Sequence, residues 1–395
     1  YTTLFRSVEQ VKDLKIRVSY GVTGNQGLNP YQTIPMMGSN RYIFSNHEFS
    51  VGFSETNIAN KDLKWESTGQ FNVGLDLNLF DDLFFFTFDY YRKHTYDLLA
   101  SEPIPWSTGF RTILKNIGEI ENKGMEFSLQ SYLVSTKNFK WDVSGNISMN
   151  RNKVLKLAGN SDIFSGGVMF TNTNLARVGE PLGVFFGYIE DGLDSNGQIR
   201  YKDLTEDGAI TTADRTILGS PYADFTYGFN TNLMYRNLSL NIFVEGSQGN
   251  ELFWETAGSN LNSFQKGTNQ LADLYGNYWT AENPDPNAKY PKIGSTTIYS
   301  TSDRFVLDAS YVRLKSVTLS YNLPTKKAGM EWLESAQLYV SGSNLLTLTK
   351  YPGLSPDVNT RGNDNFDISS RLTMGIDASS YPSARILSVG LRLKL

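Results

Sequence analysis

Asp203, Thr205, Asp207 and Asp214 place side-chain oxygens at the first, third, fifth and twelfth positions of one short run, with Gly208 at the sixth and the Ala209 carbonyl at the seventh. That is the spacing of a calcium loop, in which hard oxygens surround the ion and a glycine permits the sharp turn. Thr205 replaces the usual Asp or Asn, and Asp214 replaces the bidentate Glu, so the ligand set is weak. Ile210 is placed to anchor a short strand. The same residues suit a metal-free turn closed by hydrogen bonds from Asp side chains to nearby backbone N–H groups. Both readings stay open, and no cofactor is expected other than a structural calcium if this loop holds one.

A second group carries rings instead of oxygens. Trp106, Phe110, Trp254, Tyr275, Tyr278 and Trp279 fall in segments without regular alternation. Aromatic faces stack on the apolar faces of sugar rings, so these residues could touch a glycan or a partner, or pack the loops against one another. Thr268 to Trp279 is expected to form a short helix.

Reaction chemistry finds less support. Asp62, Glu66, Glu119, Glu121 and Glu126 give no convergent acid pair by spacing, as glycoside hydrolysis would need. Neither a nucleophile elbow nor a phosphate loop is present. There is no Cys, which removes disulfides and thiolate chemistry. His47 and His94 are the only histidines and are far apart, so a histidine centre is not expected and both are assigned to the surface or a lumen. Arg92, Lys93 and Arg313 are read as lumen-lining. No enzymatic activity is expected.

The elements that position these residues announce themselves by period two. Val73, Leu75, Leu77 and Leu79 oppose Asn72, Gly74, Asp76 and Asn78; Phe84, Phe86, Phe88 and Tyr90 oppose Thr87 and Asp89; Leu387, Val389, Leu391 and Leu393 oppose Ser388, Gly390 and Arg392. The runs reach the length of a tilted membrane-crossing strand, beyond the usual soluble strand. Rings gather near run ends (Phe84, Tyr90, Trp141, Tyr227, Tyr235, Tyr311, Tyr321), as interfacial girdles do. Strands are predicted at 13–24, 64–79, 83–98, 120–134, 138–151, 223–235, 238–248, 305–322, 335–347 and 385–395. Short connections alternate with long ones near 25–63, 99–119, 152–222, 249–304 and 348–384, as in bacterial outer-membrane barrels with long extracellular loops. Apparent extra strands at 49–53 and 184–189 are assigned to the outer loops. The expected fold is all-β: an antiparallel transmembrane β-barrel wall in the cell outer membrane.

Composition agrees. Only 40% of residues are apolar and 19% are charged, yet 13% are aromatic, so apolar groups must be hidden by alternation. No stretch approaches a membrane-spanning helix. A net charge of −4 without a basic run argues against a nucleic-acid partner. Tyr1 to Ser7 (YTTLFRS) reads as a translated sequencing-adapter stretch and is set aside, leaving 8–395 as a chain cut upstream. The last predicted strand stops cleanly at Leu395.

Several segments resemble the SusC/RagA family of TonB-linked outer-membrane transporters of Bacteroidetes. They are LKIRVSYGVTGNQGL (14–28), LKWESTGQFNVGLDLNLF (63–80), NIGEIENKGMEFSL (116–129), GEPLGVFFGY (179–188), IRYKDLTEDGAITTADRTILGSPYADFTYGFN (199–230), NPDPNAKYPK (283–292), YVRLKSVTLSYNLP (311–324) and LYVSGSNLLTLTKYPGLSPDV (338–358). The resemblance implies a barrel of about 22 strands, of which this chain would be the C-terminal portion, without the N-terminal plug and the TonB-contact segment. It also implies uptake of an oligosaccharide or peptide, with a SusD-type surface lipoprotein and TonB as partners. Two positions depart from the family pattern: Leu395 where an aromatic residue usually ends the chain, and Ser355 where an acid usually opens the SPDV loop. The alternatives are a passive outer-membrane pore or adhesin, and a soluble glycan-binding β-sandwich.

Overall fold

The computed structural model describes residues 10–394 apart from 29, 44–48, 158, 160, 166–169, 171, 261–268, 296–299, 326–328, 331, 359–371 and 379. The expectations for residues 1–7, His47 and Leu395 lie outside the described residues. Ten strands form one antiparallel sheet in which chain neighbours pair with each other. They are β1 (Val11–Asn25), β2 (Glu66–Leu79), β3 (Phe84–Pro103), β4 (Thr112–Ser135), β5 (Phe139–Lys156), β6 (Phe225–Tyr235), β7 (Leu238–Gln248), β8 (Tyr311–Leu323), β9 (Ser335–Thr349) and β10 (Ile386–Lys394).

Register carries the apolar alternation from strand to strand, because a slip of one residue would send every side chain to the wrong face. One row runs Ile16, Leu75, Phe88, Phe127, Ile147 and Tyr227 across β1 to β6. Another runs Leu233, Leu240, Leu319, Val340 and Val389 across β6 to β10. This belt is not covered by protein: Val18, Leu387 and Val389 are 67%, 75% and 74% exposed. In water such a belt would be untenable; facing lipid it is the stabilising surface of the sheet. The opposite face is polar and internally paired. Arg17 on β1 forks onto Asp76 of β2 and Asp89 of β3, with three contacts of 2.9 Å.

Turns at one end are tight. Phe80, Asp81 and Asp82 all take positive φ (52°, 52° and 70°) to reverse β2 into β3, and Asp82 is tied to Lys12 and Asn78. Asp tolerates this conformation through local hydrogen bonding. Arg236, also at positive φ, joins β6 to β7.

The strands run longer than alternation alone indicates. β3 and β4 have 20 and 24 residues and pair as far as Pro103 with Thr112. The outer loop expected at 99–119 is therefore mostly strand, with only residues 104–111 at its tip. The periodic signal fades there because Leu98, Leu99 and Ala100 are all buried. At about 3.3 Å per residue the 24 residues of β4 extend roughly 80 Å, well beyond an apolar band about 25 Å tall.

Other departures have local causes. The strand expected at 305–322 is interrupted at Ala309 and Ser310, where the Ser310 N–H donates to Asp308 at 2.9 Å. Residues Val306–Asp308 leave the sheet to pair with Glu251–Phe253. Tyr311, expected in a girdle, shares the inward parity of Arg313 and stacks on its guanidinium at 5.0 Å. The described part of the helix expected at 268–279 holds a single 3-10 turn, Ala272–Leu274. Segment Phe49–Glu55 pairs with Met37–Ile43 as a separate hairpin, and Val184–Gly187 joins a small four-stranded sheet; neither enters the ten-stranded wall.

Candidate functional site

The main apolar core among the described residues lies in the long loops, on the side away from the tight turns. Phe170 and Phe185 come from the β5–β6 connection, Phe253 and Phe305 from the β7–β8 connection, and Ile376 from the β9–β10 connection. Phe170 meets Phe253 at 5.2 Å and Phe305 at 5.0 Å between ring centroids. Three separate excursions are thereby fused into one body, held by edge-on and tilted ring contacts in addition to buried area.

Ion pairs brace this body. Glu190 accepts from Arg304 Nε at 2.8 Å, Arg304 Nη2 at 2.6 Å and the Ser302 hydroxyl at 2.9 Å. Arg313 of β8 is 2% exposed. It donates from Nη1 to Asp357 Oδ2 at 2.6 Å, from Nη2 to Asp357 Oδ1 at 3.0 Å, and from Nε to Thr347 Oγ1 at 3.0 Å. Burial pushes the Asp357 carboxyl up, but the Arg313 and Ser355 hydrogen bonds outweigh it and bring it down to about 2. Ser355 receives the Arg313 Nη2 hydrogen bond at 3.3 Å and contacts Asp357. Buried Tyr351 donates to Asp377 at 2.7 Å, and burial together with that carboxylate raises the phenol well above its usual range.

The calcium-like run is closed by hydrogen bonds from its own N–H and O–H groups. Asp214 is fully buried, and its Oδ1 accepts from Leu204 N, Thr205 N and Thr205 Oγ1 at 2.9, 3.0 and 3.0 Å. Its Oδ2 accepts from Thr211 N at 2.7 Å, completing a capping box at the 3-10 turn Thr212–Asp214. The Thr211 backbone hydrogen bond leads in holding this carboxyl far below the ordinary range. Asp203 accepts from Gly208 N at 2.7 Å and Asp207 from Ala209 N at 2.9 Å. The carboxylates of Asp203, Asp207 and Asp214 are thus each turned onto N–H or O–H donors of the loop itself. No group of three acidic, His or Cys side chains suited to a metal occurs among the described residues. Ile210, expected to anchor a strand, is exposed.

The rings divide. Trp279 is buried at 6% exposure in the loop core, lying over Gly197, where an added Cβ would meet the indole at 2.5 Å. Tyr278 and Trp254 flank that core, and Trp254 packs edge-on against Tyr351 at 6.2 Å. Trp279 is thus part of the loop core, while Tyr278 and Trp254 pack against it half-buried. Trp106 is different. It starts a 3-10 turn at the tip between β3 and β4, is 76% exposed, and carries the Arg111 guanidinium at 4.9 Å. Phe110 beside it is half-buried, and Tyr275 is exposed. Of the acids, Glu66 bonds Asn25 and the Leu99 N–H, Glu119 pairs with His94 and Lys156, and Glu121 pairs with Arg92. Each is engaged separately in holding strands together. The Arg313 clamp was not foreseen: its partner is 44 positions away, and only the inward parity of a lone Arg hints at it.

An outward apolar belt, a paired polar interior, tight turns at one end and a fused loop body at the other describe a membrane barrel wall. The family model described as "TonB dependent receptor-like, beta-barrel" matches residues 10–245. The chain belongs to that family. TonB-dependent receptor P3 of Formosa agariphila is 38% identical over 96% of the chain. TonB-dependent receptor SusC of Bacteroides thetaiotaomicron is 28% identical over 98% of it. A solved structure of the RagAB peptide transporter superposes with a TM-score of 0.82 at 25% identity, covering 100% of the chain and 42% of that neighbour. The chain spans 39% and 38% of the two curated relatives. A TonB-dependent receptor barrel resides in the outer membrane, which is where the uncovered belt is satisfied.

Proposed function

We propose that the chain forms wall and outer loops of an energy-coupled outer-membrane importer of oligosaccharides or peptides. It works with a SusD-type surface lipoprotein, and TonB acts through parts of the protein beyond this chain. The observation that carries the reading is the likeness to the RagAB peptide transporter, which extends through the loop body as well as the sheet and covers 100% of the chain. A loop layer with its own core suits a fixed platform for a lipoprotein lid better than it suits a pore with mobile loops. The exposed pair Trp106 and Arg111 offers a ring face and a cation for ligand or partner. In this reading the chain contributes walls, loops and contacts, with no catalytic group.

The test is uptake. Cells carrying the intact protein should accumulate a labelled oligosaccharide or peptide only while the inner membrane is energised and TonB is present. The lipoprotein should co-purify with the barrel. Uptake indifferent to both energy and TonB would replace the importer with the passive pore.

A further inference from the structure

On the outward face of β3, β4 and β5 the apolar belt ends abruptly toward the loops. Tyr90, Met125 and Met149 lie side by side in register. The next outward row is Arg92, Lys123 and Arg151, and the row after that is His94, Glu121 and Lys153. Strands are about 4.8 Å apart, so three cations sit within roughly 10 Å, one residue pair above the last lipid-facing side chains. All of them point away from the barrel interior, since they share the parity of Phe88, Phe127 and Ile147; Arg92, expected to line the lumen, is therefore corrected to the outward face, while its neighbour Lys93 has the inward parity.

Their charge is only partly met by protein. Arg92 pairs with Glu121 and Arg151 with Asp224, yet both arginine side chains remain largely exposed, at 61% and 58%. Such exposed pairs are weak and rearrange easily. Lys123 and Lys153 are exposed and make no ion pair among the described residues. A lysine or arginine at this height can keep its stem against the belt and lift its head group into the polar layer.

The geometry points to a binding surface for the phosphates of lipid head groups in the leaflet on the loop side, centred on Lys123 and Lys153 with Arg92 and Arg151 at its flanks. Position decides for a lipid over a free anion: the row abuts the lipid-facing belt, where a membrane-anchored phosphate is held at the right depth and a soluble anion has no such concentration. The surface would fix the depth and tilt of this side of the barrel, independently of what is imported.

The test uses the intact outer-membrane protein in detergent, with native mass spectrometry reading bound lipid. The probes are bis-phosphorylated lipid A, its dephosphorylated counterpart, and inorganic phosphate. The phosphorylated lipid should bind in preference to the dephosphorylated one, and inorganic phosphate should not compete at equal concentration. Lys123→Gln and Lys153→Gln should each weaken that binding about fivefold, and together roughly 25-fold. Arg236→Gln, at the tight-turn end, should leave it unchanged. Heat-modifiable migration on a gel shows that each variant is folded. Binding that ignores the lipid phosphates, that survives the double substitution, or that inorganic phosphate displaces overturns the proposal.

Discussion

The guanidinium of Arg313 and the carboxylate of Asp357 meet through two hydrogen bonds of 2.6 and 3.0 Å across 44 positions of chain. One partner is inside the strand wall and the other is on the last long loop, so the pair anchors that loop at the barrel rim. Removing one partner leaves the other charge buried. Asp357→Ala should cost about 2–3 kcal/mol, less than a fully buried pair because Asp357 is partly exposed. Limited proteolysis within 350–385 is the measurement: cleavage should quicken while the strands stay resistant. Because this carboxyl titrates lower in the folded chain than when unfolded, its contribution is complete above about pH 4 and is lost as pH falls toward 2. Pepsin cleavage of the loop should therefore rise over that interval.

Asp214 organises its loop through hydrogen bonds from Leu204, Thr205 and Thr211. In Asp214→Asn one carboxylate oxygen becomes a donor facing donors, so the amides of Leu204, Thr205 and Thr211 should exchange about tenfold faster. Hydrogen exchange in the presence and absence of millimolar calcium checks both halves: the wild-type pattern should not change on adding the ion. Calcium-dependent protection at 203–214 would restore the calcium loop.

The loop core and the membrane wall should fail separately. Phe253→Ala removes a fully buried ring and should cost about 3–5 kcal/mol, exposing the loops to trypsin while heat-modifiable migration persists. Phe127→Arg puts a charge in the lipid belt, at about 2–4 kcal/mol, and should reduce heat-modifiable migration itself.

Two tryptophans should give opposite results. Trp279→Ala empties a core position and should destabilise the loop body by about 3–5 kcal/mol. Trp106→Ala should change stability by less than about 0.5 kcal/mol and weaken uptake or lipoprotein capture. A Trp106→Ala protein with full uptake and capture would remove that ring from the proposed contact surface.

Legibility tracked the solvent on each face. Where lipid lies on one side and polar groups on the other, the sequence must alternate, and the strands from Leu238 to Gln248 and from Ser335 onward were readable nearly to the residue. Where both faces are buried, as at Leu98 to Ala100, alternation carries no contrast and the strand extends past the end that the pattern indicates. The loop body was opaque for another reason. Its core joins Phe170, Phe253, Phe305 and Ile376, which no local period links. Asp214 could be picked out by spacing, but spacing alone does not distinguish an oxygen aimed at an ion from one aimed at an N–H group.

The fused loop core also constrains how the protein is made. Phe170, Phe253 and Ile376 lie on three excursions, each tethered at both ends to strands of the wall. Ile376 lies between β9 and β10, so the core cannot close until the chain from β5 to β10 has been delivered. Contacts of such high sequence separation form late, because the closure entropy must be met before they contribute. The joint core of the three excursions can therefore condense only after all of them have reached the loop side. Biogenesis of this barrel ends outside the cell.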